Sequence, residues 1–331
     1  MLYYYALLYY NINLKQIKTM KKIHLISTLI GLLAFSTLAK ADLKVVTSIK
    51  PIHSLASYIM DGVGSPGLIV DGYNSPHSFQ LKPSHAKMLE QADIIFWIGE
   101  DLENFLEKPL ATIAKKAEKI ELLEIKGIKK LKFRERNIFE EHEGHDDHGH
   151  DAKKEEHDDH EGHGQGEYDP HIWLDPINAK VILSEITEHL IENDSKNAST
   201  YKSNLAKAIS EIDKLIIDVI TETNTDLSYV VFHDAYQYYE NRFNVNILGA
   251  MTVNPDVMPG AEQIHEIHEV IEHDNVSCIL SEPQFNPDII KSIAKDTNVK
   301  TGVLDPLGAN LKPGKDLYFD LIRNMSASFN C

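Results

Sequence analysis

The feature that most constrains the fold is a regular alternation of short β-like runs and helix-like runs. In the first part of the chain we predict strands at 43–49, 66–70 and 93–99, with helices at 53–63 and 82–92 between them. Strands joined through crossover helices run in the same direction, so this alternation predicts a parallel sheet with helices packed against it.

The same alternation returns near the C-terminus and predicts a second sheet. The predicted strands are 229–234, 245–253, 276–283 and 299–306, and the predicted helices that follow them begin near 235, 261, 287 and 316. We therefore predict an α/β fold of two lobes, each with a parallel-type sheet flanked by helices. The first lobe is expected to span residues 42–190 and the second 228–331.

A long amphipathic helix is predicted between the two lobes. Residues 176–224 read as two helices, the second from 198 to 223, and we expect a linking helix within 195–225 that is long enough to bridge two lobes. One face of it is expected to form a buried apolar stripe, made of Leu205, Ile209, Ile212, Leu215, Ile216 and Ile220.

A charged insert interrupts the first lobe at residues 139–167. It contains twelve acidic residues and no Val, Ile or Leu, so we expect it to be disordered without metal, because it cannot bury enough apolar surface to offset the entropy of ordering. It could bind metal ions weakly at several places, or it could be a solvated loop with no such role. Its seven histidines are His142, His145, His148, His150, His157, His160 and His163.

Residues 1–41 have the pattern of a secretory signal peptide. They contain no acidic residue, and Lys21 and Lys22 precede an apolar run that ends at the small-residue site Ala39-Lys40-Ala41. The run is short for a membrane anchor, which is the alternative. Met20 is a possible true start. No Cys stands at the cleavage site to accept a lipid, so we expect a secreted protein of the periplasm that is not lipid-anchored.

Charge and cysteine content narrow the function classes. The formal net charge of −17 disfavours nucleic acid and anionic lipid as partners and is compatible with cations. Cys278 and Cys331 are the two cysteines, and in a secreted chain they suggest one disulfide rather than a catalytic thiol. The sequence contains no Gly-rich phosphate loop, no G-x-S-x-G elbow and no H-E-x-x-H, so those enzyme signatures are absent.

Four residues at strand ends or in loops are candidate metal ligands: His77, His171, His233 and Asp305. Ligands of open parallel sheets bind beyond the carboxyl ends of the strands, and three imidazoles with one carboxylate make a donor set that zinc accepts. Glu282 is a fifth candidate, either as a ligand or as a hydrogen-bonding partner of one. A single histidine at a strand end is more often a hydrogen-bonding or surface residue, so the argument depends on their number.

The chain closely resembles a family of metal-binding substrate-binding proteins. Within that family it is similar to the zinc branch, the ZnuA family, whose members are periplasmic zinc-binding proteins that serve bacterial ABC zinc importers. The resemblance covers nearly all of the chain after residue 41. The matching segments, in family order, are KPIHSLA, DGYNSPHSFQLKPS, EYDPHIWLDP, VVFHDAYQYYE, VNPDVMPGAEQIHEI, SEPQFNP and TGVLDPLGANL. An acidic, His-rich insert before the PHIWLDP segment is also typical of the zinc branch.

The resemblance implies a fold and a site. The fold is two α/β lobes joined by one long rigid helix, with the metal in the cleft between the lobes. His77, His171 and His233 correspond to the zinc histidines of the family, and Asp305 to a carboxylate that ligates metal in several relatives. Cys278 and Cys331 correspond to a family disulfide. Pro76 stands where some zinc relatives have a glutamate, so for the fourth ligand we expect Asp305 first, water second and Glu282 third.

The resemblance also implies a function. We expect a monomeric, non-enzymatic carrier that binds Zn²⁺ tightly and delivers it to an inner-membrane ABC permease. One alternative is a manganese or broader divalent-metal carrier, but the manganese branch usually has a carboxylate at the position of His233, and imidazole suits zinc. A zinc hydrolase is a second alternative, because an open fourth position could activate water. An adhesin or surface metal-buffering protein is a third, disfavoured by the missing lipid-attachment Cys.

Overall fold

The computed structural model describes residues 42–134, 136–139, 166–253, 255, 257 and 259–331. The predicted signal peptide and all seven insert histidines lie outside the described residues. Within the part of the chain that is described, we find no helix with the length and apolar character needed to span a bilayer.

The first sheet has four parallel strands in the order β2-β1-β3-β4. Its helices begin with α1, whose first turn contains Pro51, a residue suited to that position because the first helical N–H groups need no partner within the helix. The elements of this part are β1 (Val45–Thr47), α1 (Lys50–Ile59), β2 (Gly67–Leu68), α2 (Pro83–Gln91), β3 (Ile94–Trp97), α3 (Glu100–Thr112) and β4 (Glu118–Glu121).

The second sheet repeats this plan, with four parallel strands in the order β6-β5-β7-β8. The two-sheet α/β prediction is therefore confirmed. Its elements are β5 (Ser228–His233), α6 (Gln237–Phe243), β6 (Asn246–Thr252), α7 (Ala261–His273), β7 (Cys278–Ser281), α8 (Asp288–Thr297), β8 (Lys300–Val303) and α9 (Leu317–Ser328). Cys278 in β7 is disulfide-bonded to Cys331, as predicted.

Two consecutive helices connect the sheets, α4 (Pro176–Asn193) and α5 (Ala198–Glu222). The long linking helix predicted from the sequence is present as α5. Its buried residues are Tyr201, Asn204, Ala208, Ile212, Leu215 and Val219. Of the predicted stripe, Ile212 and Leu215 are buried, whereas Leu205, Ile209 and Ile216 are half-buried and Ile220 is 57% exposed, because the buried face is rotated toward Ala208 and Val219.

Contacts between residues far apart in sequence close the two halves around a common cleft. Lys50 of α1 is buried, and its ammonium donates hydrogen bonds to the carbonyls of Gly308, Ala309 and Leu311 in the loop after β8. Trp173 Nε1 donates to the carbonyl of Pro306 in the same loop at 2.9 Å. The loop after β8 is therefore fixed to residues that precede α5.

The segment before the insert also reaches the second sheet. Phe139 N donates to the Leu248 carbonyl at 2.8 Å, and Ala250 N donates to the Asn137 carbonyl at 2.8 Å. Residues 137–139, which the predicted boundaries assign to the first lobe, thus extend the edge of the second sheet at β6.

Candidate metal centre

Three predicted ligands, His77, His171 and His233, converge in the cleft. His77 lies in the loop after β2, His171 directly precedes the short 3₁₀ turn Ile172–Leu174, and His233 is the last residue of β5. One nitrogen from each ring lies within 4.8 Å of the other two. The Nε2 atoms of His171 and His233 are 3.3 Å apart. The grouping suits one small cation that prefers nitrogen ligands.

Two of these rings are held from behind by buried carboxylates. His171 Nδ1 lies 2.7 Å from Asp169 Oδ1, and His233 Nδ1 lies 2.6 Å from Glu282 Oε1. A neutral imidazole that donates its Nδ1–H to a carboxylate keeps the Nε2 lone pair free. Both rings therefore present a metal-binding nitrogen to the shared space, and the carboxylate behind each ring fixes its orientation.

His77 is held differently. Its Nε2 atom is shielded from solvent and has no hydrogen-bond partner, although the residue as a whole is only partly buried. Its backbone N donates to the Ser75 hydroxyl, which fixes the loop rather than the ring. A shielded ring nitrogen without a partner is rare in proteins, and a metal ligand in its metal-free form is one explanation for it.

The three histidines differ in proton affinity. Burial lowers the pKa of His77 and His171 well below the ordinary value, and the charge on neighbouring imidazoles lowers it further. For His233, burial again opposes the charged form, but the attraction of Glu282 and its hydrogen bond outweigh burial and raise the pKa. In the metal-free protein, His233 is thus the ring that takes a proton first.

A buried ionic network lies behind the histidines. Arg134 donates to Asp234 at 2.8 Å and to Glu240 at 2.7 Å, and both carboxylates are buried. Burial raises the pKa of Asp169 and Glu240 to about 7 and that of Asp234 to about 6. Arg134 offsets part of this negative charge. The remaining carboxylate charge near the histidines favours a cation in the cleft.

Asp305 is not part of the three-histidine group. Its carboxylate accepts hydrogen bonds from the backbone N–H groups of Leu307, Gly308 and Ala309, at 3.1, 3.0 and 2.5 Å, and from Gln284 Nε2 at 2.9 Å. The Glu282 carboxylate contacts the Nδ1 atom of His233 and not the Nε2 atom that faces His171. The ligand role of both carboxylates stays a prediction.

Mostly apolar side chains close the space around the histidines, so a bound ion would be largely separated from solvent. The remaining lining residues are Ser75, Pro76, Trp173, Glu282, Gln284, Phe285, Pro306 and Leu307. A wider groove outside shares Ser75, Gln284 and Phe285 with the pocket and gives a path to it. Pro76 contributes only an apolar wall.

Sequence reasoning named Glu282, whose carboxylate contacts His233 Nδ1, as a ligand or a hydrogen-bonding partner of one, but it missed Asp169. Asp169 stands two residues before His171, and its carboxylate was a readable signal, because outer carboxylates commonly orient metal-binding histidines. Arg134 and Gln284 gave no comparable signal, since their roles depend on contacts made across 100 and 21 residues of sequence.

A second cluster of metal-ligating side chains lies elsewhere in the described residues. It consists of Glu118, His189 and Glu192. His189 Nδ1 lies 2.8 Å from a Glu118 oxygen and its Nε2 lies 3.2 Å from Glu185. The carboxylates are partly or fully exposed, and their contacts with the imidazole account for the arrangement without a metal.

Comparison with known proteins places the chain in a family. Residues 45–330 match the family described as ZnuA, zinc-uptake complex component A, periplasmic. The "High-affinity zinc uptake system protein ZnuA" of Brucella abortus (strain 2308) is 44% identical, over 94% of this chain and 98% of the relative.

Two solved structures share the fold. One is a zinc-bound deletion mutant of ZnuA, with a TM-score of 0.68 and 21% identity over 86% of this chain and 96% of that one. The other is a mutant of the laminin-binding adhesin Lmb from Streptococcus agalactiae, with a TM-score of 0.69 and 22% identity over 87% and 98%. Because the family match covers nearly the whole described chain and a curated relative is 44% identical, this chain belongs to the ZnuA family of periplasmic zinc-uptake components.

Proposed function

We propose that this protein captures Zn²⁺ in the periplasm, holds it on His77, His171 and His233, and delivers it unchanged to an inner-membrane ABC permease. The observation that carries the proposal is the convergence of three imidazole nitrogens within 4.8 Å in a small pocket lined mostly by apolar side chains. Zinc forms bonds of roughly 2.0–2.1 Å to imidazole nitrogen and is commonly four-coordinate in proteins. Three ligands from separate parts of the chain then hold the cargo in the cleft.

The donor set favours zinc over manganese. Manganese prefers carboxylate, carbonyl and water oxygens, whereas imidazole suits zinc. The carboxylates nearest the site, Glu282 and Asp169, each face the Nδ1 atom of a histidine rather than the shared space. To give manganese an anionic oxygen ligand, one of these carboxylates would have to leave its short hydrogen bond to a histidine.

A carrier fits the site better than a hydrolase does. A zinc hydrolase needs an open metal position and a carboxylate or imidazole free to act as general base. Glu282 is engaged by His233, and Asp305 is engaged by three backbone N–H groups. We therefore propose that bound zinc undergoes no chemistry here.

The N-terminal segment and the His-rich insert have roles in the same proposal. We propose that residues 1–41 direct secretion and that the chain acts as a monomer without a lipid anchor. The seven insert histidines would collect zinc weakly beside the cleft, because neutral imidazoles bind metal while the surrounding carboxylates raise the local cation concentration.

The decisive experiment is a chelator-competition titration of the chain from residue 42 onward against zinc and manganese. A form in which all seven insert histidines are replaced with Asn separates the cleft from the insert. We expect one tight zinc site and much weaker manganese binding in both forms. Equal affinity for the two metals would refute the zinc assignment, and loss of tight binding in the Asn form would move the main site to the insert.

Delivery is tested in cells. Growth in zinc-poor medium should require both this chain and the permease, and removal of either should be rescued by added zinc. Rescue by manganese instead would support the alternative carrier.

A further inference from the structure

Gln284 has a shielded oxygen in the same pocket as the three histidines. The Oε1 atom of this side chain has no hydrogen-bond partner and is excluded from solvent. Gln284 lines the small pocket together with His77, His171 and His233. An amide oxygen in such a place costs free energy unless something donates a hydrogen bond to it.

The contacts of Gln284 fix which end of the amide faces the pocket. Its Nε2 donates to Asp305 Oδ1 at 2.9 Å, and a carboxylate can only accept. Asp305 is itself held by the N–H groups of Leu307, Gly308 and Ala309. The nitrogen end of the amide is therefore anchored, which leaves the oxygen as the free acceptor.

Two shielded atoms in this pocket lack partners, Gln284 Oε1 and His77 Nε2. A metal ion carrying one water would satisfy both, since His77 would bind the metal and the water would donate to the amide oxygen. We propose that Gln284 completes the site in this way, accepting a hydrogen bond from a water at the fourth metal position. This inference rests on the proposed function, because it takes the three histidines as the other ligands.

The proposal gives Asp305 an indirect role. It orients the amide of Gln284, and the amide orients the water, so Asp305 acts on the metal without touching it. Because the amide of Gln284 is neutral and contacts only the water, the three imidazole nitrogens remain the protein ligands and the site gains no negative charge. A carboxylate at the same position would add an anionic oxygen, which manganese prefers.

The test compares Gln284→Leu and Gln284→Glu with Gln80→Leu, in the form whose insert histidines are Asn. Gln80 is a matched control, because it is exposed and lines the outer groove but not the histidine pocket. Zinc and manganese affinities are measured by chelator competition, and the visible spectrum of bound Co²⁺ reports the coordination shell.

We expect Gln284→Leu to weaken zinc binding by about tenfold, in the range for loss of an outer hydrogen-bonding partner, and to change the Co²⁺ spectrum. Gln284→Glu, which has nearly the same shape, should raise the manganese-to-zinc affinity ratio by at least about tenfold. Gln80→Leu should match the parent in all three measurements. Thermal melting checks that each variant folds, and the Glu variant keeps the test informative if the Leu variant does not.

The outcomes separate the two proposals. If the parent binds zinc tightly and both Gln284 variants lie within about twofold of it in affinity, metal preference and spectrum, Gln284 has no role at the fourth position and the function stands. If the parent itself shows no tight zinc site, the proposed function fails first.

Discussion

His233 and Asp305 occupy similar places in the second sheet and yet face different partners. His233 ends β5 and turns its Nε2 toward His171, while Asp305 follows β8 and turns both oxygens to the loop that it begins. A short carboxylate followed by a tight turn readily accepts the N–H groups that the turn exposes, and Gly308, with φ at +67°, shapes that turn. Position at a strand end therefore selects candidates without deciding their role.

Replacing His233 gives the largest expected effect. His233→Ala removes one of three nitrogen donors, and we expect zinc affinity to fall by more than about 100-fold, beyond the range for loss of an outer partner. Chelator competition measures it. His265→Ala is the matched control, because His265 is an exposed helical histidine paired with Glu269. An unchanged affinity for the His233 variant would remove this histidine from the site.

Replacing Glu282 should cause the second-largest loss of zinc affinity. It is buried and touches the ring only at Nδ1, so Glu282→Ala should weaken zinc binding by roughly 10- to 100-fold. Glu282→Gln should recover part of the loss, since its amide oxygen still accepts from Nδ1–H. Imidazole NMR should show a lower His233 pKa in both variants, because burial then acts without the opposing negative charge. A larger loss than in His233→Ala would instead indicate that Glu282 is itself a ligand.

The dependence on pH distinguishes the three histidines. His77 and His171 have pKa values well below the ordinary one and stay neutral in mildly acidic solution, whereas the pKa of His233 is raised. Zinc must then displace one proton, from His233, so affinity should fall about tenfold per pH unit below the pKa of His233 and level off above it. Calorimetry in buffers of different ionisation enthalpy counts the released protons. Release of three protons near pH 6 would contradict the assignment.

The fold could be predicted because most of the β-like runs are rich in apolar residues, as expected of strands buried in a parallel sheet, and Ile94–Trp97 is buried throughout. Residues 100–121 received no assignment from the sequence, although they form α3 and β4. In α3, Pro109 lies inside the helix and Glu103 departs from helical geometry. The Glu103 carboxylate accepts from the backbone N–H groups of Ile98 and Gly99, a contact that periodicity does not reveal.

The site could be predicted from the sequence only in part, because its geometry depends on contacts between distant residues. His77, His171 and His233 stand out because they lie in loops or at a strand end rather than on apolar helix faces, and the resemblance to a known family supplied their grouping. Of the carboxylates behind these rings, Glu282 was a candidate because it ends a predicted strand, whereas Asp169 was not, because its contact with His171 Nδ1 depends on the local fold. Sequence thus selected the three histidines that converge and the Glu282 carboxylate behind one of them, and it missed Asp169 and Arg134.

Replacing Asp305 should have the smallest effect on zinc affinity, and it tests directly whether Asp305 and His233 have different roles. Asp305→Asn keeps the size of the side chain and weakens its hold on the three N–H groups, while Lys50 and Trp173 still fasten the loop through its carbonyls. We expect a loss of about 1–3 kcal/mol in unfolding free energy, measured by urea denaturation of the metal-free protein. Zinc affinity should fall by less than about tenfold, because Asp305 reaches the metal only through Gln284. A loss in affinity equal to that of His233→Ala, with little change in stability, would mean that the carboxylate leaves its loop to ligate zinc. His233 and Asp305 would then be equivalent after all, and the loop contacts would describe only the metal-free state.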